Sequence, residues 1–193
     1  MNGWAWLFWI GSAVVVYTYA GYGLLVYLWV HWRSPQHLQS PPPLDDRDLP
    51  ALTLIVAAYN EAAVLPAKLH NSLELDYPRE RLDIVFVTDG SDDGSERLLQ
   101  ELPMPADLQM RVLHQPRRQG KLAAVARVMP AVTAPVTVYT DANAMLNREA
   151  LRNIVKHYAD PTTGAVAGEK RVQFAETAGA EGVGEGAYWR YES

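Results

Sequence analysis

The sequence predicts an α/β fold with a mainly parallel sheet, preceded by one transmembrane helix. Apolar, β-rich segments alternate with helical segments along residues 51–174, the order that is typical of βαβ units. Two polar clusters, at residues 88–95 and 140–143, each follow such an apolar segment directly. Because open α/β sheets bind ligands beyond the carboxyl ends of their strands, these clusters are the candidate functional site.

The transmembrane helix is predicted from residues 4–30, which contain no Asp, Glu, Lys or Arg. A helix of this length reaches about 40 Å, against roughly 30 Å for the hydrocarbon core of a bilayer. Tryptophans crowd both ends of the segment, as interfacial aromatic belts do. A buried core helix and a cleaved signal peptide are the alternatives, but no basic residue precedes the apolar stretch. We therefore expect residues 1–33 to anchor the chain in a lipid bilayer.

The charged residues predict the orientation and exclude one class of partner. Arg33 and Arg47 follow the helix. The Lys/Arg bias therefore predicts that the helix lies in the cell (plasma or inner) membrane, with the N-terminus outside and the following domain in the cytoplasm. Cysteine is absent, which excludes disulfides and thiolate metal sites. The net charge of −5 argues against nucleic-acid binding, which requires a basic face.

The remaining chain divides into a linker, a folded half-domain and a tail. Residues 34–50, rich in proline, are predicted to form a linker, and residues 51–174 the half-domain. Strands are predicted at 52–57, 83–88, 109–114, 136–140 and 164–168. Helices are predicted near 64–75, 95–102, 122–132 and 148–158, with Asn60 as a possible cap of the first. Residues 175–193 are expected to be a flexible loop and the start of a truncated helix.

Asp89 is the first candidate ligand residue, because it stands at the end of a predicted strand and precedes a glycine-containing turn. Its carboxylate can accept hydrogen bonds from a base or ribose, while the glycines allow close backbone approach. The alternative is an ordinary strand-to-helix turn with Asp92, Asp93 or Ser95 as its cap. We assign Asp92 and Asp93 to the turn and Asp89 to the ligand.

Asp141 and Asn143 are the candidate metal ligands. Their spacing on a tight loop after a strand can point two oxygens the same way, towards Mg²⁺ or Mn²⁺. The alternative is an Asx turn that caps the next helix.

Lys121, with Arg117 and Arg118, forms a candidate phosphate site around Gly120 at a helix start. Backbone N–H groups, the helix dipole and the lysine charge converge there, as a phosphate or pyrophosphate requires. The alternative is a solvated basic loop.

Five motifs in order resemble those of membrane-bound family-2 glycosyltransferases, the group of the hyaluronan, cellulose, chitin and poly-N-acetylglucosamine synthases. The resemblance covers roughly residues 51–174, and the preceding anchor fits it too. The motifs are VAAYNE (56–61), DYP (76–78), VTDGSDDGS (87–95), GK (120–121) and TDAN (140–143).

This resemblance implies a GT-A fold, a Rossmann-like architecture that binds a nucleotide-diphospho-sugar, with UDP as the expected nucleotide, and an inverting transfer to a polysaccharide or glycolipid acceptor. Ala58 and Glu61 would line the nucleotide pocket, and Asp89 would hold the base. Lys121 would face the phosphates of the donor. Asp141 would bind the diphosphate through Mg²⁺ or Mn²⁺, with Asn143 in the place of the second acid of a DxD motif.

The sequence departs from the family pattern after Asn143. The general base belongs to a later Glu-Asp type motif, and processive members add a Gln-x-x-Arg-Trp motif; neither is found in this sequence. We therefore expect a C-terminally incomplete donor-binding half that binds a UDP-sugar weakly and transfers little or nothing. A non-catalytic, membrane-tethered module that binds nucleotide-sugars is the main alternative. A soluble-type nucleotidyltransferase fits the anchor poorly.

Overall fold

The computed structural model describes residues 2–33, 40–102, 105 and 107–169. The chain forms two compact units, Met1–Pro41 and Pro42–Ser193. Two predicted segments lie outside the described residues: positions 34–39 of the linker and the whole tail, residues 175–193.

The first unit is one helical stretch. It consists of α1 (Gly3–Val16), a π-helical turn (Tyr17–Gly21) and α2 (Tyr22–Arg33). The part Gly3–Trp32 is long and apolar enough to cross a membrane, and no residue of its most apolar window is buried within the protein. An apolar helix with this exposure matches the length and composition predicted for an anchor.

The described residues of the second unit form four strands and four α-helices. These elements are β1 (Leu52–Ala58), α3 (Leu65–Leu73), β2 (Leu82–Asp89), α4 (Ser95–Glu101), β3 (Gln109–Gln115), α5 (Lys121–Val128), β4 (Val136–Asp141) and α6 (Ala150–Val155). All neighbouring strands are parallel, in the order β3-β2-β1-β4. The predicted α/β class with a parallel sheet is therefore confirmed.

The sheet is covered on both faces, which explains why its central strands are apolar at successive positions. Alternate side chains of β1 and β2, such as Leu54 and Phe86, pack with α3, α4 and α6 on one face. The intervening ones, such as Ile55 and Val85, pack with α5 on the other. Strands β2 and β3 extend the sheet to one side of β1, and β4 extends it to the other. The carboxyl ends of β1 and β4 thus lie at the switch point where open α/β sheets bind ligands.

Two expectations about the ends of this unit need revision. The strand predicted at 164–168 is wrong, because those residues form no strand and only Val166 among them is partly buried. This glycine- and alanine-rich segment has too little apolar surface to pack on a sheet face. The second part of the predicted linker also packs with the unit, since Leu49 belongs to its core and Asp46 forms an ion pair with Arg152 at 2.6 Å.

Candidate functional site

A cleft of about 300 Å³ opens at the carboxyl edge of the sheet. Residues from β1, β2, β4 and the start of α5 line it, so four segments distant in sequence meet there. The structure brings together all six residues that the sequence predicted to bind donor or metal: Ala58, Glu61, Asp89, Lys121, Asp141 and Asn143. Their binding roles remain predictions.

Asp89 ties the end of β2 to the loop that precedes α5. One of its carboxylate oxygens accepts the backbone N–H groups of Gln119 and Gly120, at 2.8 and 2.6 Å. The other accepts a hydrogen bond from Arg127 at 3.0 Å. Burial alone would raise the pKa of the Asp89 carboxyl, but these hydrogen bonds and the Arg127 charge outweigh it and lower the pKa below its usual value. Asp89 is therefore a buried, ionised residue that holds the loop between β3 and α5, residues 116–120, which is called the basic loop below.

Gly90 lets that basic loop approach β2 closely. Its N–H donates to the carbonyl of Gln115 at 2.7 Å, and its φ is +70°, in the left-handed region. A Cβ at this position would lie 2.5 Å from the backbone nitrogen of Arg118. Glycine is thus required both by the backbone conformation and by the contact.

The basic loop places two cations beside the cleft. The Lys121 ammonium forms an ion pair with the Asp141 carboxylate, and both side chains are about half exposed or more. The Arg118 guanidinium lies over the Tyr59 ring, 3.9 Å from its centroid. Cation–π attraction holds the exposed guanidinium on the ring, and a guanidinium is a good donor of hydrogen bonds to phosphate. Both arrangements hold positive charge at the rim of the cleft.

Asp141 and Asn143 flank a residue that turns inward. Ala142 between them is buried, and its N–H donates to the carbonyl of Ala57 at 3.0 Å. The two polar side chains both line the cleft. Within the described ranges, no group of three or more His, Cys, Asp or Glu side chains could hold a metal. The Asp141 carboxylate and the Asn143 amide oxygen suit an ion such as Mg²⁺, which takes few protein carboxylates and completes its shell with phosphate oxygens and water.

The turns after β1 and β2 are joined by hydrogen bonds. The Asn60 amide donates to the Asp92 carboxylate at 2.7 Å and accepts the Asp92 N–H at 3.0 Å. The N–H of Asn60 and of Glu61 donate to the hydroxyls of Ser91 and Ser95, at 3.2 and 3.1 Å. The expectation that Asn60 caps a helix is wrong, because α3 begins five residues later, at Leu65, and Asn60 has a φ of 53°. The assignment of Asp92 to the turn agrees with these contacts.

Asp93 supports the same junction. Its carboxylate accepts the N–H of Ser95 at 3.0 Å and the N–H of Ala62 at 2.8 Å. Partial desolvation of the exposed Asp93 carboxyl would raise its pKa, but the hydrogen bonds from the Ser95 hydroxyl and from these N–H groups lower it overall. Asp93 therefore acts as a structural acid at the start of α4, as the sequence predicted for the turn.

Three residues near the site were missed from the sequence: Arg127, Lys68 and Asn71. Arg127 holds Asp89, whereas Lys68 and Asn71 reach the loop after β4 from α3. A signal for Lys68 was present in the sequence. It shares the i, i+3, i+4, i+7 spacing of the buried positions of α3, so a cation stands on a face that packs against the sheet.

A parallel sheet with a polar cleft at its switch point is the architecture of nucleotide-binding α/β proteins. The family model described as Glycosyl transferase family 2 matches residues 53–189. This match spans well over half of the chain, and the chain belongs to glycosyl transferase family 2. The resemblance inferred from the five motifs is thereby confirmed.

Curated relatives of the chain are synthases of glycolipids and polysaccharides. Beta-monoglucosyldiacylglycerol synthase of Trichormus variabilis is 27% identical over 161 residues, which cover 80% of this chain and 34% of the relative. Poly-beta-1,6-N-acetyl-D-glucosamine synthase of Staphylococcus aureus is 26% identical over 137 residues, which cover 70% of this chain and 32% of the relative. The chain thus spans about a third of the length of these relatives.

Two solved structures share the fold. The mannosyltransferase PcManGT from Pyrobaculum calidifontis, in complex with GDP-Man and Mn²⁺, superposes with a TM-score of 0.65 at 34% identity, over 79% of this chain and 44% of that one. TarS of S. aureus, in complex with UDP, gives a TM-score of 0.50 at 18% identity, over 57% of this chain and 32% of that one. At that identity TarS supports the fold alone. The GT-A fold implied by the resemblance is confirmed.

Proposed function

We propose that this chain is the donor-binding part of a membrane-anchored glycosyltransferase. In this proposal it binds a nucleoside-diphosphate sugar, whose sugar is transferred to a glycolipid or polysaccharide acceptor. The observation that supports it best is the meeting of Lys121, Asp141 and Asn143 at one cleft, beside the loop that Asp89 holds.

The cleft offers groups for each part of such a donor. The apolar end of β1, at Ala57 and Ala58, forms a floor for a base, and Glu61 and Asp89 stand beside it. Lys121 and the N–H groups at the start of α5 favour the negative charge of a diphosphate. A cleft with an apolar floor and a charged rim suits a ligand that is aromatic at one end and anionic at the other.

The chemistry of transfer explains why a cation is needed at the rim. When an acceptor hydroxyl attacks the anomeric carbon, the bond from that carbon to the diphosphate breaks and negative charge develops on the leaving oxygen. The Lys121 ammonium, placed at the diphosphate, stabilises that charge more in the transition state than in the ground state. The hydroxyl proton passes to a general base, for which the sequence offers no Glu-Asp type motif.

Asp141 and Asn143 are the residues that would hold a divalent cation. A bound Mg²⁺ or Mn²⁺ would neutralise the diphosphate and assist its departure. The binding of Mn²⁺ with GDP-Man by the 34% identical mannosyltransferase supports this assignment. Asn143 contributes an oxygen without a charge, so the site is expected to bind metal less tightly than one formed by two carboxylates.

The proposed class of acceptor and the proposed attachment to a membrane are supported by different observations. The relatives named as a glucosyldiacylglycerol synthase and a poly-N-acetylglucosamine synthase support a glycolipid or a polysaccharide as the acceptor. The exposed apolar helix Gly3–Trp32 supports attachment to a lipid bilayer.

Nucleotide binding by the full chain in detergent micelles tests the proposal. UDP and GDP are titrated calorimetrically with and without Mn²⁺, for the parent, Asp141→Ala and Glu101→Ala. Glu101 is an exposed acid of α4 that pairs with Arg97, so its removal matches the charge change outside the cleft. We expect at least one nucleotide to bind, Mn²⁺ to strengthen its binding in the parent and in Glu101→Ala, and Asp141→Ala to lose that increment.

Two results contradict the proposal. One is that neither nucleotide binds under any condition, which removes the donor site. The other is that Asp141→Ala responds to Mn²⁺ as the parent does, which removes the proposed metal ligand. Assays of sugar transfer are a separate measurement, because transfer by the purified chain would contradict only the prediction that its general base is lacking.

A further inference from the structure

Lys68 is a lysine buried completely within the second unit. Its side chain lies on the inner face of α3 between Leu65 and Leu69, and its exposed fraction is 0%. Lysine is almost never fully buried unless its ammonium is paired, since a charged group that loses its hydration is strongly destabilised. A residue of this kind must therefore be explained by the partners that it reaches.

Within the part of the chain that the structure describes, the hydrogen-bond partners of the Lys68 ammonium belong to the end of β4 and the loop that follows. Its ammonium donates to the carbonyl of Ala144 and lies 3.3 Å from the hydroxyl of Thr140. Burial lowers the pKa of the Lys68 ammonium from 10.5 to about 8, and the nearby Asp141 carboxylate opposes that shift. The group is thus still protonated at neutral pH, and donates as a cation.

Asn71, one helical turn further along α3, holds the same loop at its other end. Its amide donates to the carbonyl of Leu146 at 2.7 Å and accepts the N–H of Leu146 at 2.9 Å. A side-chain amide that makes both hydrogen bonds to one residue fixes the position and direction of that backbone. Helix α3 is therefore hydrogen-bonded to the loop at two points, on either side of Met145.

Asp141 ends β4 and Asn143 directly precedes Ala144, and both residues line the cleft. Neither Lys68 nor Asn71 belongs to the described residues that line the cleft. They therefore contact the loop on the side away from the cleft. We propose that Lys68 and Asn71 are positioning residues, which hold the loop so that the oxygens of Asp141 and Asn143 face one divalent cation. This inference rests on the proposed function, and assigns to α3 a part in metal binding.

The position of these contacts predicts a selective effect. The surface for the base and the basic loop come from β1, β2 and α5, which α3 does not support through Lys68 or Asn71. Loosening the loop should therefore weaken the Mn²⁺-dependent part of nucleotide binding and leave the metal-independent part unchanged. A role confined to the stability of α3 would not separate the two.

The experiment compares full-length Lys68→Met, Asn71→Asp and Ser72→Ala with the parent. Methionine keeps an unbranched stem and removes the ammonium, and aspartate keeps the acceptor for the Leu146 N–H while it removes the donor. Ser72→Ala is the matched control, because this buried hydroxyl bonds to the Lys68 carbonyl within α3, at 2.8 Å, and not to the loop. The probe is UDP or GDP, whichever the parent binds more tightly, titrated at increasing Mn²⁺.

We expect Lys68→Met to raise the Mn²⁺ concentration for half-maximal effect about tenfold, the loss of one charged hydrogen bond. Asn71→Asp should act in the same direction, with metal-free affinity unchanged in both. Deuterium uptake in peptides that cover residues 141–147 should rise in these variants and not in Ser72→Ala.

An unchanged Mn²⁺ response in both variants, or an equal loss in Ser72→Ala, overturns the inference while the proposed function stands. The absence of any Mn²⁺ response in the parent overturns both.

Discussion

Arg127 and Asp89 form an ion pair at 3.0 Å in which the carboxylate is almost completely buried. The same carboxylate accepts two backbone N–H groups from the loop before α5. One side chain thus fixes the end of β2, the basic loop and a residue of α5. Because the Asp89 charge is desolvated, removal of Arg127 leaves a buried carboxylate without its ion-pair partner, which costs more than the loss of a surface pair.

The first prediction concerns the pH dependence of stability. The folded-state pKa of Asp89 is lowered, so its contribution is present above the ordinary pKa near 4 and is lost as pH falls through the folded value. We expect Asp89→Asn to cost about 3 kcal/mol at neutral pH, and progressively less in acid. Pulse proteolysis across a urea gradient measures this for the full chain. Asp107→Asn, which breaks the exposed pair with Arg79, should cost about 0.5 kcal/mol, and an equal cost for both changes would contradict the prediction.

The second prediction concerns the close approach at Gly90. Gly90→Ala adds a Cβ that meets the backbone of Arg118, so the basic loop must move away from β2. We expect a loss of stability together with a loss of nucleotide affinity. Gly94→Ala is the control, since Gly94 also has a positive φ, +85°, but its Cβ would meet nothing within 4 Å. It should lose about 1 kcal/mol of stability through backbone strain and keep its affinity. Calorimetric titration with UDP and GDP separates the two, and equal affinities for both variants would refute the steric argument.

The third prediction concerns the amide at Asn143. Asn143→Asp supplies a second carboxylate beside Asp141 and should tighten Mn²⁺ binding about tenfold, because oxygen ligands with a full charge bind hard cations more strongly. Asn153→Asp makes the same chemical change on the exposed face of α6 and should leave Mn²⁺ affinity as in the parent. Mn²⁺ affinity is read by electron paramagnetic resonance in the presence of nucleotide. A parent-like value for Asn143→Asp would remove this residue from the metal site.

The fourth prediction concerns orientation in the membrane. The chain contains no cysteine, so one introduced thiol reports one location. With the predicted orientation, a membrane-impermeant maleimide added to intact cells should label Asn2→Cys and not Glu101→Cys. After the membrane is permeabilised, both should react, which is the control for accessibility. The reverse pattern would contradict the orientation that Arg33 and Arg47 predict.

The strands and the composition of the cleft could be predicted from the sequence because both depend on local patterns. The β-rich runs placed β1 to β4 within one residue of their observed ends, and the signal is strongest in β1 and β2, which are buried along nearly their whole length. The carboxyl ends of parallel strands meet at one edge, so the polar residues that follow them had to converge.

The missed features depend on tertiary contacts that no local pattern encodes. Asn60 is a residue type that often caps helices, but its amide donates to Asp92 on a neighbouring turn, and α3 begins only at Leu65. The role of Lys68 depends on a loop more than seventy residues away in sequence, and Arg127 on an acid at the end of another strand. Spacing along one helix could show that Lys68 was buried, but not which partner satisfied it.

The hydrogen bonds between the turns after β1 and β2 limit which substitutions the two turns can accept independently. Five of them cross from residues 60–62 to residues 91–95, and Glu61 of the cleft lies among the bonded residues. An altered side chain in one turn removes a donor or acceptor from the other. The two segments should therefore covary as a pair, and transplanting either one alone into a homologue should disturb the pocket that neither segment forms by itself.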